Sequence, residues 1–379
     1  MYEHKDILSD LKNNLSLSEK LKVIHHALKD QFSFIDRIAV ASYDAKTNVM
    51  KSFIDSSGGV EPLAHYSSSL KETSSLQEIL KMGRPRVIND LTVFDQGKHE
   101  HTIRIRSQGY SASYTMPMYL NSVFWGFIFF NSYQKNCFSN DSLKQLDVFG
   151  HLISCITTSE LVAIKTVLAA LKTANDMVHY RDPETGNHLD RMARYSRLIA
   201  QQLAIEGKYK FNDEYIEHIF LFAPLHDIGK ISIADKILLK PDRLNEEELK
   251  IMQTHSMKGY QMIDSMLKNF DFQSFNSLNV LCNIVEYHHE ALDGSGYPMG
   301  LKGNEIPIEA RIIAVADIFD ALTSSRPYKP AWSNEEAFSM LKRLATTKLD
   351  QDCVNVFVGS QDQIEELQTL FKEETTNKE

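Results

Sequence analysis

The stretch IFLFAPLHDIGK, residues 219–230, decides how the second half of this 379-residue chain is interpreted. Its apolar first part predicts a buried helix, and the polar pair His226 and Asp227 at the helix end would be costly to bury without partners. Gly229 lets the chain turn, and Lys230 follows immediately. Neighbouring imidazole and carboxylate groups can bind one metal ion and bridge to a second. A buried pair satisfied by hydrogen bonds alone is the alternative interpretation.

Further histidines and carboxylates lie on both sides of this stretch in the sequence. Glu184 and His188 are four residues apart, so a helix starting at Pro183 would place them on one face. His288 and His289 would diverge by about 100° on a helix and so face two different metal ions. Taken singly, most of these residues occur on helices without a ligand. Taken together they predict a polynuclear metal site, with the ligands Glu184, His188, His226, Asp227, His255, His288, His289 and Asp317.

Bulk composition limits the class of protein. Hydrophobic residues make up 43% and charged residues 24%, which is typical of a soluble globular protein. The net charge of -9 argues against a nucleic-acid binder, because phosphate contacts need an excess of Lys and Arg. The four cysteines form no CxxC pair, so a reducing cytoplasm is the predicted location. No signal core precedes residue 15, and the apolar run 123–130 is too short to span a bilayer, so no membrane association is expected.

The first half of the chain mixes helix and strand signals. Apolar spacing and alternation predict a helix at 18–31 with Ser18 as N-cap, strands at 35–43 and 49–54, a helix at 74–81, and strands at 112–120 and 123–131. Turn residues at 44–48 and at Asn121 separate the paired strands. This order indicates an α/β sensory domain.

Residues 139–180 contain a single glycine, Gly150, and no proline. Apolar residues recur at spacings of three and four from Leu143 to Val178, which predicts one long helix with an apolar stripe. Such a helix pairs with the same helix of a second copy, so we expect a homodimer. The alternative is two ordinary helices with a break near Thr157, each packed on its own domain.

The rest of the chain carries helical patterns. Helices are predicted at 184–205, 213–227, 246–266, 278–289, 307–322 and 334–346, which makes the second half all-α. The polar tail after Gln363 is expected to fray.

Several separated segments look like motifs of the HD-GYP family, over about residues 170–360. They are RDPETGNH (181–188), HDIGK (226–230), HHEALDGSGYP (288–298) and ADIFDALTSSRPYK (316–329). The element order over about 18–160, with GYSASYTMPMYL (109–120) and FWGFIFF (124–130), resembles a GAF domain. The resemblance implies a multidomain chain: a GAF-like α/β sensory domain, a long connecting helix and an all-α HD-type catalytic domain. The expected boundaries are 1–17, 18–140, 141–180, 181–362 and a tail at 363–379.

The HD-GYP resemblance implies hydrolysis of cyclic di-GMP, a bacterial second messenger, to the linear dinucleotide and then GMP. It implies two or three divalent metal ions, with iron favoured over manganese, and it associates Glu184 with the third. Asp227 would bridge two ions, and Lys230 would contact the scissile phosphate. Tyr297 of the Gly-Tyr-Pro signature, with Arg326 and Lys329, would bind the substrate. An unidentified small ligand of the GAF-like domain is the other expected partner.

The sequence departs from the family pattern at three positions beside the site. Ser232 and Ala234 stand where glycine and proline are common, and Leu292 stands where tryptophan is frequent. None of these changes removes a ligand. Two other functions stay open: an HD hydrolase of another nucleotide, such as a mixed cyclic dinucleotide, or a receptor that binds cyclic di-GMP without cutting it.

Overall fold

The computed structural model describes residues 4, 6–57, 65, 67–94, 105, 107–179, 186–269, 278–324 and 330–371. The chain divides into two compact units: Met1–Lys165 with Asn212–Glu214, and Thr166–Phe211 with Tyr215–Glu379. Among the described helices, none combines the length and the apolar character needed to cross a membrane.

The first unit is built on a six-stranded antiparallel sheet with the order β3-β2-β1-β6-β5-β4. Its strands are β1 Arg37–Asp44, β2 Val49–Asp55, β3 Ser67–Ser69, β4 Arg86–Ile88, β5 Ala112–Leu120 and β6 Val123–Ser132. Helices α1 (Leu17–Lys29) and α2 (Ser74–Met82) accompany the sheet. Phe127 and Phe129 of β6 pack with Leu76 of α2 in a buried cluster. The predicted α/β class of this unit is confirmed.

The N-cap of α1 is Ser16, so the prediction of Ser18 is wrong. The Glu19 backbone N–H donates to the Ser16 hydroxyl, and the Ser16 N–H donates to the Glu19 carboxylate at 2.8 Å. This reciprocal pair needs a glutamate three residues after the cap. Ser18 has Leu21 at that position, which cannot complete it.

Helix α3 is continuous from Asn140 to His179, so the alternative with a break near Thr157 is wrong. Thr158 stays in the helix and donates its hydroxyl to the Ser154 carbonyl at 2.7 Å. Part of the apolar stripe that was predicted to pair with a second copy is buried within the single chain, since Leu146, Ile153, Leu161 and Ile164 are at most 4% exposed. Its other described members are half-buried: Leu143, Phe149, Leu152 and Ile156. The four buried residues therefore contribute to the chain's own core.

The second unit is all-α in its described residues, as predicted. Its helices are α4 Gly186–Ile205, α5 Asp213–Phe222, α6 Asp235–Leu238, α7 Glu246–Asn269, α8 Leu278–Tyr287, α9 Ile308–Thr323, α10 Asn334–Leu344, α11 Gln351–Val358 and α12 Gln361–Leu370. Tyr195 of α4 is fully buried, with the rings of Phe319 and Phe357 each 5.5 Å away. This aromatic core packs α4 against α9 and α11.

Four helices end earlier than predicted, and the tail is more ordered than predicted. Helices α1 and α10 end at Lys29 and Leu344, two residues before the predicted positions. Helix α5 stops at Phe222, and the 3-10 turn 223–225 follows, because Pro224 lacks the N–H that an α-helix would use. Helix α8 ends at Tyr287 instead of at residue 289. The segment expected to fray after Gln363 is helical to Leu370, and the next residue, Phe371, is 8% exposed.

Candidate metal centre

Seven of the eight predicted ligands converge in two groups. In each group the candidate ligand atoms lie within 4.8 Å of one another; the groups are Asp227, His255, His288 and His289, and His188, His226 and Asp317. The eighth predicted ligand, Glu184, lies outside the described residues, as do Arg326 and Lys329.

These ligands come from five parts of the second unit. His188 lies in the first turn of α4, His255 in α7, Asp317 in α9, His288 and His289 directly after α8, and His226 with Asp227 between the 3-10 turns 223–225 and 228–232. Each of these helices buries an apolar face in the unit, and that burial brings the polar residues together.

The Asp227 carboxylate joins the two groups. Its Oδ1 is 3.1 Å from Nε2 of His255 and 3.7 Å from Nε2 of His288. Its Oδ2 is 3.2 Å from Nε2 of His226, which belongs to the other group. One oxygen therefore faces each group, which is the arrangement a bridging carboxylate requires.

Backbone carbonyls fix the orientation of three imidazoles. The Nδ1 atoms of His226, His255 and His288 lie 2.8–3.0 Å from the carbonyl oxygens of Ala223, Met252 and Ile284, in that order. Since a carbonyl only accepts, each Nδ1 must carry the proton and donate it. Each Nε2 is then the ring nitrogen that faces the site and is left to bind a metal ion.

His188 is held differently, by a carboxylate that was not among the predicted site residues. Its Nδ1 donates to Oδ2 of Asp320 at 2.6 Å, and the Arg191 guanidinium donates to both oxygens of that carboxylate. Burial raises the pKa of Asp320, but the hydrogen bonds from His188 and Arg191 outweigh burial and lower it. The signal in the sequence was a second aspartate three residues after Asp317 in an apolar helix.

The donor set fits divalent metal ions. His226 Nε2 and Asp227 Oδ1 are buried, and neither forms a hydrogen bond with a described residue. A buried polar atom left in this way costs about 1–3 kcal/mol, which a cation between the two groups would offset. The ligands are nitrogen and oxygen without thiolate, which suits iron, manganese or zinc.

The electrostatics of the ligands agree with this fit. Although burial raises the pKa of Asp227, Lys230 and His226 hold it well below the ordinary value, so the carboxylate is charged. Burial, followed by the neighbouring His288, lowers the pKa of His289, which keeps that ring neutral. Burial also lowers the pKa of His226, but the carboxylates of Asp227 and Asp317 raise it to about 9, so metal binding would release a proton there.

The sequence predicted that His288 and His289 would face two different metal ions, and the structure places them differently. Both belong to the same ligand group, and their ring centroids are 4.0 Å apart. The prediction assumed helical geometry, but α8 has already ended at Tyr287. The divergence of about 100° between successive helical side chains therefore does not apply.

Two predicted functional residues border the ligands. Lys230 places its Nζ 2.8 Å from Asp227 Oδ2. The Tyr297 ring lies 4.7 Å from the His289 ring, and burial raises the pKa of its phenol, which stays protonated and able to donate. A positive charge and a neutral donor thus lie beside the candidate ligands.

Two glycines allow the close backbone approaches that position these residues. A Cβ on Gly229 would lie 1.8 Å from the His255 carbonyl oxygen, so only glycine lets the turn after Asp227 lie against α7. A Cβ on Gly296 would lie 2.3 Å from the Ala291 backbone nitrogen. The absence of that atom lets the Tyr297 segment pack directly on the backbone that follows α8.

A buried glutamate organises the loop after Tyr297. The Glu290 carboxylate accepts hydrogen bonds of 2.7–3.1 Å from the backbone N–H groups of Met299, Gly300 and Leu301. No role was predicted for Glu290 from the sequence. Ser232 stands where glycine is common in the family pattern. Its hydroxyl donates to the Gly229 carbonyl at 2.7 Å and closes the turn beside Lys230.

Comparisons with known proteins agree with this geometry. Residues 172–353 match the family model described as "HD domain". The chain is 40% identical over 190 residues to the cyclic di-GMP phosphodiesterase response regulator RpfG of Xanthomonas campestris, covering 50% of this chain and 47% of that protein. It is 36% identical over 179 residues to 3'3'-cGAMP-specific phosphodiesterase 3 of Vibrio cholerae, covering 47% of this chain and 35% of that protein. The chain thus spans about half, or less, of the length of these relatives.

Among solved structures, the chain is similar to the GAF domain of an Acinetobacter phosphoenolpyruvate-protein phosphotransferase. The match has 13% sequence identity and a TM-score of 0.33, and it covers 41% of this chain and 90% of that one.

Proposed function

Residues 172–353 match the HD domain family model, and from that premise we propose that the chain is a metal-dependent phosphodiesterase that hydrolyses cyclic di-GMP to the linear dinucleotide and then GMP. The observation that carries the proposal is Asp227, whose two oxygens face two separate groups of ligands. The 40% identity over 190 residues to a cyclic di-GMP phosphodiesterase supports this substrate.

The residues of the site have separate roles in phosphodiester hydrolysis. Asp227 and the six other described ligands would hold the metal ions, which supply Lewis acidity at the phosphoryl group and acidify water. Lys230 places its ammonium beside Asp227, where it stabilises negative charge that develops on the phosphate. The protonated Tyr297 phenol donates a hydrogen bond to the substrate from the side of His289. Arg326 and Lys329, which lie outside the described residues, bind the phosphates of the dinucleotide.

The metal complement in this proposal is two or three ions, with iron favoured and manganese as the alternative. Two ions correspond to the two ligand groups, and Asp227 contacts a histidine of each. A third depends on Glu184, which precedes His188 by four residues in the sequence.

Two other functions are tested together with hydrolysis of cyclic di-GMP. A mixed cyclic dinucleotide is supported as substrate by the 36% identity to a 3'3'-cGAMP-specific phosphodiesterase. A receptor would bind cyclic di-GMP without cleaving it.

The test is product chromatography on anaerobically purified full-length chain, supplied with iron or manganese and then with each cyclic dinucleotide. We expect linear dinucleotide and GMP from cyclic di-GMP, at a higher kcat/KM than products from 3'3'-cGAMP. The metal-free chain is the control. Binding of cyclic di-GMP by metal-loaded protein without any cleavage product would contradict the enzyme proposal and favour the receptor.

We also propose that the GAF-like domain, residues 18–140, regulates the catalytic domain, residues 181–362, through a homodimer of the connecting helix 141–180. A face of α3 that shares only Leu152 with the predicted stripe supports this pairing. Its residues follow a 4-3 spacing, and they are Val148, Leu152, Cys155, Ser159, Val162 and Thr166. Val148 is 68% exposed and Val162 is 38% exposed. Sustained 4-3 spacing matches the seam of a left-handed coiled coil.

This dimer places Cys155, an exposed free cysteine, at a core position of the seam. In a parallel pair such a residue faces its own copy, within reach of a disulfide. Mild oxidation of the full chain is therefore expected to give a covalent dimer on a non-reducing gel. Cys155→Ser should remove the cross-link, and Val162→Cys in that background should restore it. A chain that cross-links with neither cysteine would contradict the parallel seam.

A further inference from the structure

We propose that the C-terminal end of α12 positions the metal ligand His188 through a buried chain of contacts, Phe371 to Arg191 to Asp320 to His188, and thereby sets the metal affinity of that half of the site. This inference rests on the proposed metal-dependent function and deepens it. It assigns a role to a segment that the sequence predicted to fray.

The contact nearest the metal site is between Asp320 and His188. Asp320 Oδ2 lies 2.6 Å from Nδ1 of His188, and Asp320 is 1% exposed. The bond fixes both the tautomer and the rotation of the ring, so that Nε2 faces the group with His226 and Asp317. Without the carboxylate, the ring would lose the partner that aims it.

Arg191 in turn fixes the Asp320 carboxylate. Its Nε donates to Oδ1 at 2.6 Å and its Nη2 to Oδ2 at 3.0 Å, which is a bidentate pair in the interior. The same Nη2 donates to the Ser324 hydroxyl at 2.8 Å. On its other side, Nη1 donates to the Phe371 carbonyl oxygen at 3.2 Å. The guanidinium therefore links the carboxylate to the backbone at the end of α12.

Several contacts hold the end of α12 against the unit. The Phe371 ring is 8% exposed, and the Arg194 guanidinium lies 4.2 Å from its centroid. Ile364, about two helical turns before Phe371, is fully buried. Asn334 and Gln368 exchange two amide hydrogen bonds of 2.9 Å. These contacts keep the Phe371 carbonyl where Arg191 can use it.

A matched pair of aspartate substitutions separates positioning from general stability. Asp350, like Asp320, is buried and pairs with an arginine, Arg311, at 2.8 Å, but it touches none of the seven described ligands. Manganese binding to the metal-free full chain would be measured for Asp320→Asn and Asp350→Asn. We expect Asp320→Asn to weaken one class of manganese site by about 10- to 100-fold, as for other residues that orient a ligand. Asp350→Asn should bind as the wild type does, although it also loses an ion pair.

A second pair tests the C-terminal end of the chain of contacts. Phe371→Ala removes the ring that anchors the turn, whereas Phe371→Tyr keeps it. We expect Phe371→Ala to weaken the same manganese site by about 10-fold and Phe371→Tyr to restore it. Equal manganese affinity of Phe371→Ala and Phe371→Tyr would show that the Phe371 ring does not help to position His188. Unchanged binding by Asp320→Asn, or an equal loss in Asp350→Asn, would overturn it.

These measurements use manganese alone, so they are independent of the substrate. Manganese affinity that depends on Asp320 and Phe371, in a chain that releases no product from cyclic di-GMP, would support the positioning role and contradict the proposed hydrolysis. If the chain cleaves cyclic di-GMP but its manganese affinity does not change in Asp320→Asn, the proposed hydrolysis is supported and the positioning role is contradicted.

Discussion

Asp227→Asn is expected to lower the hydrolysis of cyclic di-GMP by more than about 1000-fold and to remove metal from both halves of the site. Loss of a single stabilising donor costs about 100- to 1000-fold in other enzymes, and Asp227 contacts histidines of both ligand groups. An asparagine keeps the shape of the side chain but offers only one good ligand oxygen and no charge. The ammonium of Lys230, now 2.8 Å from the carboxylate, would also lose its partner. Metal analysis and product chromatography on the same sample measure both effects.

The matched control is Asp242→Asn, the same chemical change at an exposed position in the same unit. It should leave the metal content and the turnover unchanged. An Asp227→Asn protein that keeps its full metal content and cleaves cyclic di-GMP within about 10-fold of the wild type would rule out the bridging role.

Gly229→Ala is expected to destabilise the second unit by at least about 3 kcal/mol, at the upper end of the usual cost of overpacking. The new Cβ would lie 1.8 Å from the His255 carbonyl oxygen and 2.6 Å from the Gly259 nitrogen. Both neighbours are backbone atoms, so neither moves without displacing α7. Asp227 and Lys230 lie within two residues of this glycine. The substitution should therefore also move them away from His255 and reduce metal binding.

Gly359→Ala provides the comparison. Gly359 ends α11 with φ -68°, and its Cβ would approach no closer than 3.3 Å, to the Asn355 carbonyl oxygen. We expect a change in the free energy of unfolding of less than about 1 kcal/mol. Urea denaturation of the two variants measures the difference. Equal stability of the two proteins would show that the contact between the 228–232 turn and α7 is not tight.

The convergence of the ligands could be predicted from the sequence because each lies in or beside a helix that must bury an apolar face. His226 and Asp227 follow such a stretch, and Asp317 interrupts another. Polar groups within or directly after an apolar helix need partners when they are buried. The neighbouring residues in the sequence are apolar, so a metal cation was the predicted partner. The seven described ligands do meet in two groups.

The residues that orient the ligands could not be predicted in the same way. Asp320 and His188 are 132 positions apart, and Arg191 and Phe371 are 180 apart, so only the packing of helices brings them together. The error at His288 and His289 has a related cause, since the sequence pattern did not show that α8 ends at Tyr287.

The long helix shows the limit of periodicity as an argument. Spacing of three and four predicted α3 with nearly correct ends, but it did not reveal which neighbour the apolar stripe contacts. Leu146 and Ile153 are buried within the chain, and the face proposed to pair carries the exposed Val148 and Cys155. Both faces satisfy helical spacing, so only tertiary packing distinguishes them.

The central claim is that two ligand groups share Asp227 and so form a site for at least two metal ions. Metal content per folded chain, measured on anaerobically purified full-length protein, tests it most directly. The geometry of the two groups predicts two or more tightly bound equivalents in the wild type and less than one in Asp227→Asn. A folded wild-type chain that binds one equivalent or none would contradict the claim.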